Sequence, residues 1–254
     1  MPTTARPRTK WFLREPNPQA KARIFLIPYS GCGASMYRQW PEFIGDGIEL
    51  CAVQLPGREN RLREQPHATY ELMADDLAEA LRPHLDRPYG LFGHCGSALG
   101  AYETAVRIVE RGLTPPTRLY VSSQVAPQDG PCGRFLGMND DELLDELGRL
   151  VVSLGGKPVR SLLELSLGVL RADIEANKLY HVADPTRLPC PITAIGWLRD
   201  VEVLHSTMGG WPACGATTPE LLDGEHYTFT GAPEPLLGVL SAGLAADSPA
   251  VPAA

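Results

Sequence analysis

The stretch Tyr89-Gly90-Leu91-Phe92-Gly93-His94-Cys95-Gly96-Ser97-Ala98-Leu99-Gly100 constrains what this chain can fold into more than any other. Tyr89 to Phe92 reads as a short buried strand, and it runs straight into small residues and then an apolar, alanine-rich helical pattern. A strand that turns sharply into a helix through Gly-x-Ser-x-Gly lifts a nucleophile above the end of an α/β sheet. Here the central position is Cys95, and Ser97 replaces the last glycine. Strand and helix approach closely at such a turn, and Ser97 is the next-smallest residue that permits that packing.

The flanking segments supply the sheet that this turn needs. Ile24 to Pro28 reads as a buried strand breaking into the small-residue loop Tyr29 to Ser35, with a helix expected around Met36 to Ile44. Glu49 to Leu55 is the next strand, closed by Pro56-Gly57. Thr69 is suited to cap a helix reaching about Leu85, with Met73, Leu77, Leu81 and Leu85 along one stripe. The helix after the turn should run from Ala98 to about Arg111, stopped by Gly112 and Pro115, before a strand at Leu119 to Ser122. Strands alternating with helices predict an α/β fold with a largely parallel sheet and right-handed crossovers.

From Ala126 to about Ala183 that rhythm changes. Asp140 to Leu154 and Ser161 to Tyr180 are helical patterns with no strand between them. An insertion of this kind, at about 130–180, is expected to form a helical lid over the site. The plainer alternative is a helical subdomain that only adds core. Its leucines Leu143, Leu147, Leu163, Leu167 and Leu170 could line a pocket or bind the lid to the core. The sheet resumes at Ile192 to Ile195 and near Glu220 to Leu222, followed by a helix from about Glu234 to Ala245. Residues 1–22, rich in proline, form an extended arm, 23–246 the domain, and 247–254 a loose tail.

A chain of 254 residues is long enough to bury a proper core. Its net charge of −7 argues against nucleic acid, whose phosphates require clustered Lys and Arg. The basic N-terminal residues, Arg6 to Arg23, surround no apolar core of a signal peptide, and no run approaches a membrane span of roughly 18 apolar residues. A cytoplasmic, membrane-free protein is expected. Cys32, Cys51, Cys95, Cys132, Cys190 and Cys214 form no Cys-x-x-Cys pair, and His67, His84, His181 and His205 show no metal spacing. No metal or other resident cofactor is expected.

Two later segments give the turn its chemistry. Gly196-Trp197-Leu198-Arg199-Asp200 places a carboxylate beyond one strand, and Asp223-Gly224-Glu225-His226 places a histidine beyond the next. Nucleophile, acid, histidine is the chain order of the α/β-hydrolase triad. In these roles His226 takes the Cys95 proton and later returns one to the leaving group, while Asp200 orients the imidazole. Glu202 is a rival for the acid position, but Asp200 fits the turn better. A helix N-terminus and a neighbouring imidazole both favour the Cys95 thiolate. The N–H groups of Gly96 and of Ser30, in the Tyr29–Gly31 loop, should form an oxyanion hole. Arg58, Glu59, Arg61 and Arg63 are expected to form a solvated ion-pair loop.

The segments Ile27-Pro28-Tyr29-Ser30-Gly31, Gln54-Leu55-Pro56-Gly57-Arg58-Glu59, Phe92-Gly93-His94, Leu170-Arg171-Ala172-Asp173 and Gly224-Glu225-His226-Tyr227-Thr228-Phe229 resemble type II thioesterases. These are the stand-alone editing enzymes of polyketide and nonribosomal peptide assembly lines, and the resemblance spans roughly Trp11 to Leu240. It implies an α/β-hydrolase fold, a mostly parallel sheet with an inserted helical lid, and partners that are acyl or peptidyl carrier proteins. The phosphopantetheine arm would arrive with that partner. Carried over by position, the triad is Cys95, Asp200 and His226, with Ser30 and Gly96 at the oxyanion positions. The sequence departs from the family at Cys95, where serine is usual, and at Ser97, where glycine is usual. An acyl-Cys is itself a thioester, so its formation from a pantetheine thioester is nearly isoenergetic. That balance favours passing the acyl group on, as in transferases of this fold that carry cysteine at this position and that the chain also resembles. Release by hydrolysis is the first reading, and acyl or aminoacyl transfer to a second carrier thiol or an amine is the alternative.

Overall fold

In the computed structural model the described residues are 9–247, with side chains described to 244. Residues 1–8 of the expected arm and 248–254 of the expected tail lie outside them. Seven strands form one sheet: β1 (Ala22–Leu26), β2 (Phe43–Ile44), β3 (Ile48–Ala52), β4 (Tyr89–His94), β5 (Arg118–Ser122), β6 (Ile192–Trp197) and β7 (Thr217–Leu222). Their spatial order is β2-β3-β1-β4-β5-β6-β7, and every neighbouring pair is parallel except β2 with β3. Five helices accompany them: α1 (Tyr70–Leu81), α2 (Gly96–Glu110), α3 (Asp140–Ser153), α4 (Arg160–Leu179) and α5 (Glu234–Asp247). The result is an α/β-hydrolase-like fold.

Continuous apolar runs make sense here because the central strands β1 and β4 are buried throughout. Successive residues still face opposite ways. Phe25, Leu91 and Val121 join a core with Leu77 of α1 and Leu99 and Ala105 of α2. Ile24, Leu26, Phe92 and Tyr120 join a second core with Leu236, Leu240 and Leu244 of α5. In α1 the side chain of Thr69 accepts from the Leu72 N–H, and the stripe Met73, Leu77, Leu81 and Leu85 is buried as its spacing requires. Pro83 supplies no N–H to extend that helix, so the last turn tightens to a 3₁₀ turn at Arg82–His84.

Two expectations need correction. The helix expected around Met36 to Ile44 is a 3₁₀ helix, Ala34–Gln39. Pro41 follows it, and Phe43 and Ile44 turn back to pair antiparallel with Glu49 and Ile48. The expected solvated loop is also wrong in part, because Arg58 and Arg61 are both 4 % exposed. Arg61 donates to the Gln54 carbonyl and to Glu64 and lies over the Trp11 ring. Smaller differences are matters of boundary: β3 ends at Ala52, and β6 runs on to Trp197.

The helical insertion lies between β5 and β6. Asn139 and Glu142 close a capping box at the start of α3. Leu143, Leu147, Leu167 and Leu170 pack into the same core as Tyr29, Phe135 and Phe229, with Leu163 at its margin. These leucines therefore bind the insertion to the core. Among the described residues, no helix is long and apolar enough to cross a membrane.

Candidate active site

Cys95 sits between the last residue of β4 and the first of α2, at φ 56° and ψ −135°. A non-glycine residue in that region is strained by on the order of 1–3 kcal/mol and persists only where its surroundings hold it. They do so here through four hydrogen bonds. The Cys95 N–H donates to the Ser122 carbonyl at 2.8 Å, and the Cys95 carbonyl accepts from Ala98 N–H at 2.9 Å. Ser97 closes the turn, its hydroxyl accepting from His94 N–H at 3.0 Å and donating to the His94 carbonyl at 2.9 Å. Gly93 is obligatory for a different reason, since a Cβ there would lie 2.2 Å from the Ser97 carbonyl oxygen.

Asp200 and His226 come together from the loops after β6 and β7. Asp200 Oδ2 lies 2.9 Å from His226 Nδ1 and accepts from Ser123 Oγ at 2.6 Å. Its Oδ1 accepts from the N–H groups of Glu202 and Val203 at 2.8 and 3.1 Å. Burial alone would raise the Asp200 pKa, but these bonds outweigh it and hold the carboxyl well below its usual range. Burial instead pulls the His226 pKa down, yet attraction from Asp200 and Cys95 raises it from 6.5 to about 10. The pull of Asp200 and Cys95 is thus towards the charged imidazole. Glu202 also lines the cavity beside His226, but its carboxylate is paired with Arg134 at 2.5 Å.

Beneath them lies a row of rings. His94 stacks on Phe229 with centroids 3.9 Å apart and meets the His226 ring at 4.6 Å. Its Nδ1 lies 2.9 Å from Ser122 Oγ. Burial, and then the neighbouring His226, lower the His94 pKa well below the ordinary 6.5. A neutral ring supports the charged one. The Tyr29 hydroxyl approaches His226 Nε2 at 3.3 Å.

Ser30 and Gly96 flank the same place. Ser30 Oγ lies 3.1 Å from where a Gly96 Cβ would be, so the two residues are in contact range. As the first residue of α2, Gly96 has no residue four earlier in the helix to receive its N–H. A cavity of about 20 Å³ joins Ser30, Cys95 and His226 to Phe135, Asp173 and Ile174 of the insertion. It has room for about one water. Among the described residues, no cluster of His, Cys, Asp or Glu could hold a metal ion.

Three contributors had no assigned role from sequence. Ser123, at φ 48°, orients Asp200. Tyr29 reaches His226, and Asp173 lies against the cavity. Tyr29 and Asp173 stand inside two of the segments that carry the family resemblance, and that was their only signal. Ser123 had none.

The sheet order, the strained turn and the Asp200–His226 pair define an α/β-hydrolase with a thiol where its nucleophile would stand. The chain belongs to the thioesterase domain family, whose model matches residues 22–242. It is 34% identical over 210 residues to the gramicidin S biosynthesis protein GrsT of Aneurinibacillus migulanus, covering 80% of each chain. Among solved structures it is similar to the RedJ thioesterase of the prodiginine pathway in Streptomyces coelicolor, at 34% identity and TM-score 0.75, over 89% of this chain and 91% of that one. It is also similar to BorB, a type II thioesterase from the borrelidin biosynthetic cluster, at 27% identity and TM-score 0.78, over 92% and 97% of the two chains.

Proposed function

We propose that this protein is a type II thioesterase-like enzyme of polyketide or nonribosomal peptide biosynthesis. Its substrate is an acyl group held as a thioester on the phosphopantetheine arm of an acyl or peptidyl carrier protein. His226 takes the Cys95 proton as the sulfur attacks the thioester carbonyl, and the tetrahedral oxygen is held by the Ser30 and Gly96 N–H groups. Protonated His226 delivers a proton to the departing pantetheine sulfur, leaving acyl-Cys95 and neutral imidazole. His226 then takes a proton from water, whose oxygen attacks the acyl-Cys carbonyl, and returns it to the departing Cys95 sulfur as the free acid leaves. The helical insertion acts as the lid over this site within a domain spanning 23–246. The observation that carries the reading is the Asp200–His226 pair at 2.9 Å, whose imidazole shares a cavity with a cysteine in a strained turn, in a member of the thioesterase family.

The thiol at position 95 favours a second reading, in which the acceptor is another carrier's thiol or an amine. Acyl-Cys retains the thioester bond energy, so transfer to a thiol runs close to equilibrium. One assay separates the two. Acyl-loaded carrier is mixed with a trace of unloaded carrier or an amine, and free acid is compared with transferred acyl product. Both readings require a mass adduct on Cys95, and a Cys95→Ala variant that still turns over would overturn both.

A further inference from the structure

We propose that Asp173, on the inserted helix α4, is a positioning residue for the acyl oxygen. It fixes the loop bearing Ser30, so the oxyanion site is complete only while α4 is docked. The inference rests on the thioester reading above, with Ser30 as an oxyanion donor.

The loop's N–H groups show what Asp173 does. Tyr29 N–H is directed at Met36 Sδ at 3.1 Å, and Cys32 N–H donates to the Tyr29 carbonyl at 2.9 Å. Gly31 N–H donates to Asp173 Oδ2 at 2.8 Å. Ser30 N–H alone of these four consecutive groups has no hydrogen-bond partner among the described residues. An unspent donor beside Cys95 is what an oxyanion site needs, and Asp173 both occupies its neighbour and pins the next peptide.

Asp173 is itself held fast. Arg58 Nη1 and Nη2 donate to its two oxygens, each at 3.0 Å, in the paired geometry that a guanidinium and a carboxylate favour. Arg58 also donates to the Cys32 and Pro56 carbonyls, so the loop, the Pro-Gly-Arg-Glu turn and α4 share one clamp. Packing fixes the same contact. Gly31 has φ +77°, and a Cβ there would lie 3.1 Å from Leu170 Cβ on α4 and 3.3 Å from Leu147 Cδ2 on α3. The loop is therefore pressed against the insertion, with the carboxylate at its edge lining the cavity beside Ser30 and Cys95. Lifting α4 would remove Asp173 from Gly31 and free the Ser30 peptide to turn. Lid docking and oxyanion stabilisation become one event.

The test compares two reactions of Cys95 in the full-length protein. Acylation by an acyl-pantetheine thioester passes through an oxyanion, whereas alkylation by iodoacetamide is a direct displacement at carbon and forms none. Both are followed by intact-mass spectrometry in wild type, Asp173→Ala and Asp173→Asn. The ratio of acylation to alkylation rate should fall about a hundredfold in Asp173→Ala, the typical loss for one oxyanion donor. It should fall less in Asp173→Asn, whose amide oxygen can still accept from Gly31. A ratio within about twofold of wild type in both variants overturns the proposal, as does a parallel loss of both rates. Should Asp173→Ala not fold, the near-isosteric Asp173→Asn retains the readout, with a tenfold fall expected. A wild-type protein that alkylates but never acylates overturns the thioester reading instead.

Discussion

Two residues at the site hold conformations or charges they would not adopt in isolation. Cys95 is held at φ 56° because the turn between β4 and α2 leaves no other path, and the thiol is what occupies that strained position. Glycine adopts such a backbone at no steric cost. Cys95→Gly should therefore raise stability by about 1 kcal/mol in urea denaturation, while abolishing the acyl adduct. A loss of stability would mean that contacts of the thiol outweigh the strain. His226 makes the second case. Its pKa is raised from 6.5 to about 10, against burial, by Asp200 and Cys95. A raised histidine stabilises the fold fully below its unfolded pKa and loses that contribution as pH climbs through the folded one. The stability gap between wild type and His226→Gln should thus be level below about pH 6.5 and shrink towards pH 10. A gap that widens over that range would reverse the assignment of the charged imidazole.

At the scale of elements, the turn itself is the most exposed to test. Ser97 binds both backbone groups of His94, so its hydroxyl is a clasp across the turn as well as a small side chain. Ser97→Gly, which restores the glycine of the usual pattern, should cost about 1–3 kcal/mol by calorimetry, because two buried backbone groups lose a partner. An unchanged melting temperature would show that water replaces the hydroxyl freely. The same contrast explains what could be read from sequence. The spacing of Met73, Leu77, Leu81 and Leu85 depends on one helix alone, and the elbow depends on residues in one short stretch. Both were legible for that reason. Phe43 and Ile44 form a strand only because Glu49 and Ile48 turn back beside them, so a local helical pattern misled. Arg58 looked solvated among its charged neighbours, yet its carboxylate partner Asp173 lies 115 residues away. No local pattern carries a pairing of that length. Asp200 was preferred to Glu202 on turn geometry, and the physical difference between them is Arg134, which pairs with Glu202 and leaves Asp200 to His226.

Across the whole molecule, the insertion between β5 and β6 touches each loop of the site. Asp173 holds the Ser30 loop, Glu146 of α3 meets the Tyr227 hydroxyl beside His226 at 3.4 Å, and Arg134 grips Glu202 two residues beyond Asp200. Arg134 has the most strategic place. It lines both the 20 Å³ cavity over Cys95 and an open groove of about 530 Å³ that also borders Arg149, Arg199 and Tyr227. Its ion pairs, 2.5 Å to Glu202 and 2.9 Å to Glu146, lie along the boundary that the cavity and the groove share with His226. Removing the guanidinium leaves two nearly buried carboxylates facing one another, although Arg149 still accompanies Glu146. With Arg134 itself partly exposed, Arg134→Gln should cost only about 1–2 kcal/mol, less than a fully buried pair. Its larger effect should be on access. Labelling of Cys95 by a bulky maleimide should accelerate about tenfold relative to iodoacetamide, which needs less room. Molar salt should move wild type in the same direction, because the outer half of this contact is open to screening. If the maleimide-to-iodoacetamide ratio stays at the wild-type value in Arg134→Gln and in high salt, then Arg134 does not close the groove, and entry to Cys95 must lie on the other side of α4.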